Sequence, residues 1–172
     1  MDTMLPSEYE RYLFHEGSLN KSYKLMGSQI VTENKTKGVR FNVWGPNAKE
    51  IKIVGDFNNW NGKHHNMHKI SGSGIWTLFI PNLAKGDIYK YEIYTYWGEV
   101  FQKSDPYALY SELRPKSATV IYDLDNYSWE DSNWQKKKIS YESIYNKPIN
   151  IYEVHLGSWK RKKMETHITI VN

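Results

Sequence analysis

The amino-acid sequence predicts a mainly β protein built as an antiparallel β-sandwich. Three observations lead to this prediction. Short segments that alternate apolar and polar residues recur from residue 39 onward, turn-forming residues separate them, and no segment repeats at a fixed period. The chain has 172 residues, of which 40% are hydrophobic and 24% charged, so it can bury one core.

A short helix is predicted over residues 6–14, ahead of the sheet. Ser7 stands three positions before Glu10, which is the spacing of a capping box at a helix N-terminus. Residues 15–37 are polar and show no clear period, so we expect a connection there.

The strands follow from their two-residue period and from the turns between them. Predicted strands cover residues 39–44, 50–54, 75–80, 88–95, 99–103 and 118–122. Successive side chains of a strand point to opposite faces. In the strand 88–95, Tyr89, Tyr91 and Ile93 are therefore predicted to face the core, while Lys90 and Tyr94 face the other side.

The end of the chain departs from this pattern. Residues 126–148 are polar and predict a linker, after which residues 149–155 read as one more apolar strand. That strand has no partner left in the chain, so we expect a second domain that begins at residue 149 and is cut short. The predicted organisation is an extension (1–24), the sandwich (25–125), the linker (126–148) and the start of a truncated domain (149–172).

Composition excludes several classes of function. The chain has no cysteine, which rules out disulfides, thiolate catalysis and cysteine-based zinc sites and fits a reducing cytoplasm. No signal-peptide pattern is visible, and no apolar run reaches the about 18 residues of a membrane span. The net charge is +4, but the basic residues form no groove pattern, which argues against an oligonucleotide-binding β domain and predicts no nucleic-acid or membrane partner.

No catalytic or metal constellation is predicted. Glu153 and His155 share one face of the last strand but are best explained as a polar cluster. The histidines at 64, 65 and 68 lack the further ligands that a closed metal site needs, so they predict a hydrogen-bonding loop. We expect no cofactor.

The turn after the second predicted strand is the strongest functional signal. In Gly55–Gly62, the ring of Trp60 stands beside the amides of Asn58 and Asn59. A flat indole flanked by amides suits a sugar, which has an apolar face and a rim of hydroxyl groups. Trp60, Lys90 and aromatic residues near the 96–101 turn would form a polar-aromatic platform. The alternative, in which Trp60 only covers the sandwich edge and Lys90 is solvated, stays open.

Several segments, taken in order, carry a family resemblance. They are Tyr12-Leu-Phe-His-Glu-Gly17, Gly38-Val-Arg-Phe-Asn-Val-Trp-Gly-Pro-Asn-Ala48, Val54-Gly-Asp-Phe-Asn-Asn-Trp60, Gly74-Ile-Trp-Thr-Leu-Phe-Ile-Pro81, Tyr89-Lys-Tyr-Glu-Ile93, Lys103-Ser-Asp-Pro-Tyr-Ala108, Glu112-Leu-Arg-Pro115 and Ile151-Tyr-Glu-Val-His-Leu-Gly-Ser-Trp159. With them the chain resembles the N-terminal part of bacterial glycogen branching enzymes. The resemblance implies that residues 25–125 form a family 48 carbohydrate-binding module with an immunoglobulin-like sandwich. It also implies that residues 149–155 are the first, orphan strand of a missing family 13 (β/α)8 barrel, the natural packing partner of the module.

The resemblance also implies an activity and a set of site residues. Such enzymes cut α-1,4-glucan and rejoin it through a 6-hydroxyl, but their catalytic carboxylates lie on later barrel strands, so this chain is expected to lack catalysis. Related modules bind α-1,4-glucan or glycogen with residues that match Trp60, Lys90, Phe101 and Thr119, whereas an Asn of some modules is Ile121 here. A stand-alone glucan-binding module is the alternative function. The candidate site residues are Trp60, Lys90, Phe101, Asn58, Asn59, Tyr94 and Thr119.

Overall fold

The structure is a computed structural model, and it describes residues 5–124, 128–139 and 148–155. The chain divides into two compact units, residues 1–127 and 128–172. The predicted mainly β architecture is confirmed, since the described residues of the first unit form two antiparallel sheets, one α-helix and three short 3-10 helices.

The N-terminal helix α1 spans Glu8–Glu16. Its capping box is confirmed, because the Glu10 backbone N–H donates to Ser7 Oγ and the Ser7 backbone N–H donates to the Glu10 carboxylate. The helix ends at Gly17, whose φ of 80° lies in the left-handed region that glycine adopts without steric cost.

The first sheet has four antiparallel strands. In spatial order they are β1 (Gly27–Glu33), β2 (Thr36–Trp44), β5 (Ile75–Pro81) and β4 (His68–Lys69). The second sheet contains β3 (Glu50–Gly55), β6 (Ile88–Tyr94), β7 (Val100–Lys103), β8 (Tyr110–Ser111) and β9 (Thr119–Val120). In this sheet β6 is central: β3 lies on one side of it, and β7 and β9 pair with successive parts of its other side.

Strand β1 corrects the predicted connection over residues 15–37, which was wrong for its second half. The strand forms a hairpin with β2 through a two-residue turn at Asn34 and Lys35, both with positive φ, as tight hairpins require. It is an edge strand in which only Gly27 is buried, so it lacks the strong apolar alternation by which β2 could be predicted.

The core lies between the two sheets. Phe41 of β2 and Tyr89 of β6 are fully buried and meet edge to face, with ring centroids 4.8 Å apart. Tyr91 is also buried, and Ile93 packs against the core, which confirms the predicted inward face of β6.

A buried polar cluster ties the loop after β7 to this core. Oδ2 of Asp105 accepts hydrogen bonds from the hydroxyls of Tyr89 (2.5 Å) and Tyr91 (2.9 Å), and its Oδ1 accepts one from the Tyr107 backbone N–H (2.7 Å). Burial raises the pKa of the Asp105 carboxyl, although the hydrogen bonds it accepts act in the opposite direction. Burial, reinforced by the nearby Asp105 carboxylate, raises the pKa of both tyrosines well above their ordinary value of 10.0.

The raised pKa values of Tyr89 and Tyr91 predict that the folded protein loses stability at alkaline pH. The pKa of each tyrosine is higher in the folded chain than in the unfolded chain, so their stabilising contribution is complete below about pH 10. Above that pH the unfolded chain releases protons that the folded chain retains, and the contribution is lost. We expect the free energy of unfolding to fall from pH 10 to 11, and to fall less steeply in Tyr91→Phe.

Urea denaturation at several pH values would measure these slopes. Tyr96→Phe, at a side chain that is 67% exposed, is the matched control. An identical slope in the unmodified chain and in Tyr91→Phe would contradict the prediction.

The second unit contains one described helix, α2, at Ser132–Ile139, inside the segment predicted as a linker. Residues 148–155 have no regular secondary structure, so the strand predicted over 149–155 is not formed there. An isolated strand leaves its backbone N–H and C=O groups unpaired, and the described residues of this unit provide no second strand. The remainder of the predicted terminal domain, residues 156–172, lies outside the described residues.

Two further observations concern membranes and metals. Among the described residues, no helix is long and apolar enough to cross a membrane. The same part of the chain contains no group of three or more His, Asp or Glu side chains suited to a metal ion.

Candidate functional site

The candidate site begins where β3 ends, in the turn that carries Trp60. A short 3-10 turn over Asp56–Asn58 follows Gly55, and then Asn59 and Trp60 both take left-handed backbone conformations, with φ of 52° and 58°. The Trp60 backbone N–H donates back to the Gly55 carbonyl at 2.9 Å. The chain therefore reverses direction after β3, and the indole of Trp60 lies beside the sheet.

Asn58 stabilises this turn from within. Its Oδ1 accepts a hydrogen bond from the Gly55 backbone N–H (3.0 Å), and its Nδ2 donates to the Ile53 carbonyl (2.9 Å). A glycine is needed at 55, since a Cβ there would lie 2.1 Å from the Ile88 carbonyl oxygen. The amide of Asn58 therefore shapes the turn, while the side chain of Asn59 is exposed beside it.

The indole of Trp60 forms one wall of an open groove. The groove has a volume of about 480 Å³, and its lining residues are Asp56, Trp60, Ile88, Lys90, Glu112, Pro115, Lys116, Ser117 and Ala118. Trp60 is half-buried, and its Nε1–H donates to Asp56 Oδ1 at 2.7 Å.

Lys90 joins the groove from the outward face of β6. A second wall of the groove, called the far wall below, is formed by Glu112 and residues 115–118. The Lys90 Nζ donates to the Ser117 hydroxyl at 2.9 Å, so the ammonium is held against this far wall. In that wall the Glu112 carboxylate accepts a hydrogen bond from the Ala118 backbone N–H (3.1 Å) and lies 3.4 Å from Lys116 Nζ. The groove thus combines one aromatic ring with cationic, anionic and hydroxyl groups, which suits a ligand with an apolar face and many hydroxyl groups.

Tyr94 shares the outward face of β6 with Lys90 but does not line the groove. Its hydroxyl donates to Glu92 at 2.8 Å, and this hydrogen bond is the main cause that raises the pKa of Tyr94. Lys52 lies over its ring, with Nζ 4.5 Å from the ring centroid.

Phe101 and Thr119 are not brought to the groove. Residues directly opposite each other in an antiparallel pair share one face of the sheet. Phe101 pairs with Ile93, and Thr119 pairs with Tyr89, so both lie on the face opposite to Lys90. Thr119 is fully buried, and its hydroxyl accepts a hydrogen bond from the Asp105 backbone N–H at 2.9 Å. Ile121 is likewise fully buried.

Sequence reasoning missed the far wall and Asp56. Glu112 and Pro115 stood in the segments that carry the family resemblance, but nothing in the sequence placed them beside Trp60. Ser117 and Lys116 carried no signal of their own. Asp56 lies in the predicted turn, but the sequence indicated no role for its side chain. In the structure it accepts a hydrogen bond from the Trp60 indole.

The comparison with known proteins agrees with this architecture. Residues 25–108 match the family described as carbohydrate-binding module 48, the isoamylase N-terminal domain. Those residues are similar to that family, and they make up a little under half of the chain. The chain is similar over 169 residues to the 1,4-alpha-glucan branching enzyme GlgB of Halothermothrix orenii, at 53% identity, covering 98% of this chain and 27% of that enzyme.

A second branching enzyme gives the same result. GlgB of Bacillus subtilis is 51% identical over 162 residues, covering 94% of this chain and 26% of that enzyme. The chain therefore spans about a quarter of the length of the curated relatives it matches, and the resemblance to the N-terminal regions of branching enzymes is confirmed. A crystal structure of Klebsiella pneumoniae pullulanase complexed with maltotriose is also similar, with 26% identity, 64% of this chain and 11% of that chain covered, and a TM-score of 0.48.

Proposed function

We propose that the module binds α-1,4-glucan chains, such as glycogen, in the groove between Trp60 and Lys90. The observation that carries this proposal is the position of these two side chains in one open groove of a carbohydrate-binding module. Trp60 and Lys90 were also the central pair of the sequence-based hypothesis. Asn59 is a neighbouring contact in this proposal, whereas Phe101, Thr119 and Tyr94 lie outside the groove lining.

The chemistry of the groove supports a neutral polyhydroxylated ligand. An indole ring offers a broad apolar surface on which the C–H face of a glucosyl unit can stack. The Lys90 ammonium has three donors, and the bond to Ser117 uses one of them. The carboxylate of Glu112 supplies acceptors for sugar hydroxyls.

We further propose that the chain acts as the N-terminal part of a 1,4-alpha-glucan branching enzyme. The support is the identity of about half of its residues to enzymes of that name, of which it spans about a quarter. In this proposal the catalytic barrel is the packing partner of the module, residues 149–172 begin that barrel, and the protein is cytoplasmic.

Trp60→Ala tests the glucan site. We expect the substitution to raise the dissociation constant for a linear maltooligosaccharide at least about tenfold, since truncating a central Trp in an interface often costs about 2 kcal/mol and 1.4 kcal/mol is tenfold. The fold should persist, because the half-buried ring lies at the groove and outside the core. Tryptophan fluorescence during the titration measures the affinity.

Trp44→Ala is the matched control. Trp44 is 50% exposed and lies on β2 of the other sheet, so its loss should leave the affinity unchanged. Equal affinity in Trp60→Ala and the unmodified chain, or no saturable response of the unmodified chain to millimolar sugar, would contradict the proposed site.

A further inference from the structure

We propose that Asp56 is a positioning residue that holds the Trp60 indole in its orientation at the groove before a ligand binds. This inference rests on the proposed glucan-binding function. In this role Asp56 affects ligand binding through its hydrogen bond to Trp60.

The hydrogen bond between the two side chains carries the inference. The Trp60 Nε1–H donates to Asp56 Oδ1 at 2.7 Å, which is at the short end of the range for N–H···O hydrogen bonds. The indole has a single donor and no acceptor, so this bond uses its whole hydrogen-bonding capacity. Trp60 is thereby left to contact a ligand through its ring surface.

The backbone of the turn holds the other end of the same residue. Trp60 has a φ of 58°, which is uncommon for a bulky residue and persists only where the surrounding structure enforces it. Its backbone N–H is bonded to the Gly55 carbonyl at 2.9 Å, and Asn58 ties Gly55 and Ile53 together beneath it. Trp60 is therefore held at its backbone by the turn and at the far edge of its ring by Asp56.

Such double restraint matters for affinity. A side chain that is already ordered in the free protein loses little rotamer freedom when a ligand stacks on it. Asp56 is exposed at the rim, so its bond to the indole competes with water, and its contribution should be modest. We expect Asp56→Ala to raise the dissociation constant for a linear maltooligosaccharide about three- to tenfold.

Calorimetric titration of the full chain with that sugar tests the inference through a double-mutant cycle. The variants are Asp56→Ala, Asp56→Asn, Trp60→Phe and the double variant Asp56→Ala/Trp60→Phe. Asp56→Asn should retain most of the affinity, because an amide oxygen can accept the indole hydrogen bond. Asp56→Ala should have no further effect in the Trp60→Phe background, because phenylalanine has no N–H to hold.

An equal loss from Asp56→Ala in both backgrounds would overturn the inference, since Asp56 would then act on the sugar without Trp60. An unchanged affinity in Asp56→Ala alone would overturn it as well. Either result would leave the proposed glucan function intact, provided that the unmodified chain binds.

A measurement without ligand separates the two proposals. In ¹⁵N-labelled protein, the indole N–H signal that disappears in Trp60→Phe belongs to Trp60, and its exchange with water can be followed. We expect faster exchange in Asp56→Ala and near-normal exchange in Asp56→Asn. Unchanged exchange in Asp56→Ala would overturn the positioning role, whereas a failure of the unmodified chain to bind sugar would overturn the proposed function.

Discussion

Replacing Asp105 with alanine is expected to lower the free energy of unfolding by about 3–5 kcal/mol. The substitution leaves two buried tyrosine hydroxyls and the Tyr107 backbone N–H without their acceptor, and each buried unsatisfied group costs about 1–3 kcal/mol. Relief from burying a carboxylate offsets part of this cost. The loop after β7 should lose its attachment to the core, because Asp105 joins that loop to Tyr89 and Tyr91.

Chemical denaturation of Asp105→Ala and Asp105→Asn measures this effect. Asparagine retains an oxygen for the tyrosine hydroxyls but has an NH₂ group in place of one carboxylate oxygen, so its cost should be intermediate. One ordinary hydrogen bond contributes about 1 kcal/mol net to stability. If the alanine variant loses less free energy of unfolding than this, the cluster does not stabilise the sandwich.

Phe41→Ala is expected to cost a comparable amount, about 3–5 kcal/mol, as is usual when a buried phenylalanine is truncated to alanine. Phe41 is fully buried between the sheets, and its ring meets that of Tyr89 at 4.8 Å. The substitution leaves a cavity that a shift of β2 cannot close, because β2 is hydrogen-bonded to β1 on one side and to β5 on the other. Thermal or urea denaturation provides the measurement.

Phe101→Ala is the matched control for this core substitution. Phe101 is 42% exposed on β7, so its truncation should cost less than about 1 kcal/mol, within the range of surface substitutions. Equal losses at the two positions would mean that the core does not lie where the structure places it.

Local sequence patterns predicted those parts of the fold that depend on neighbouring residues. The capping box of Ser7 and Glu10 was correctly predicted because both groups lie within one helical turn. The inward and outward faces of β6 followed from the two-residue period, which any strand must obey. The same reasoning failed for β1, since an edge strand that buries only Gly27 has little alternation to read.

The candidate site shows the same division. The sequence by itself determined that Trp60 stands in a turn, because glycine, aspartate and asparagine around it favour one, and that Lys90 points away from the core. Only the tertiary structure decided what faces them. The segment with Glu112 and Ser117 is more than twenty residues from Lys90 along the chain and reaches it through the pairing of β6 with β9.

The strand register decided which of the predicted residues share a face. Thr119 is opposite Tyr89 and so turns into the core, whereas a shift by one residue would have turned it toward Lys90. Residues 149–155 carry an apolar strand pattern but form no strand in the described structure. Alternation along a chain defines the two faces of a strand, but its neighbours, its register and even its formation depend on hydrogen-bonding partners that lie elsewhere in the fold.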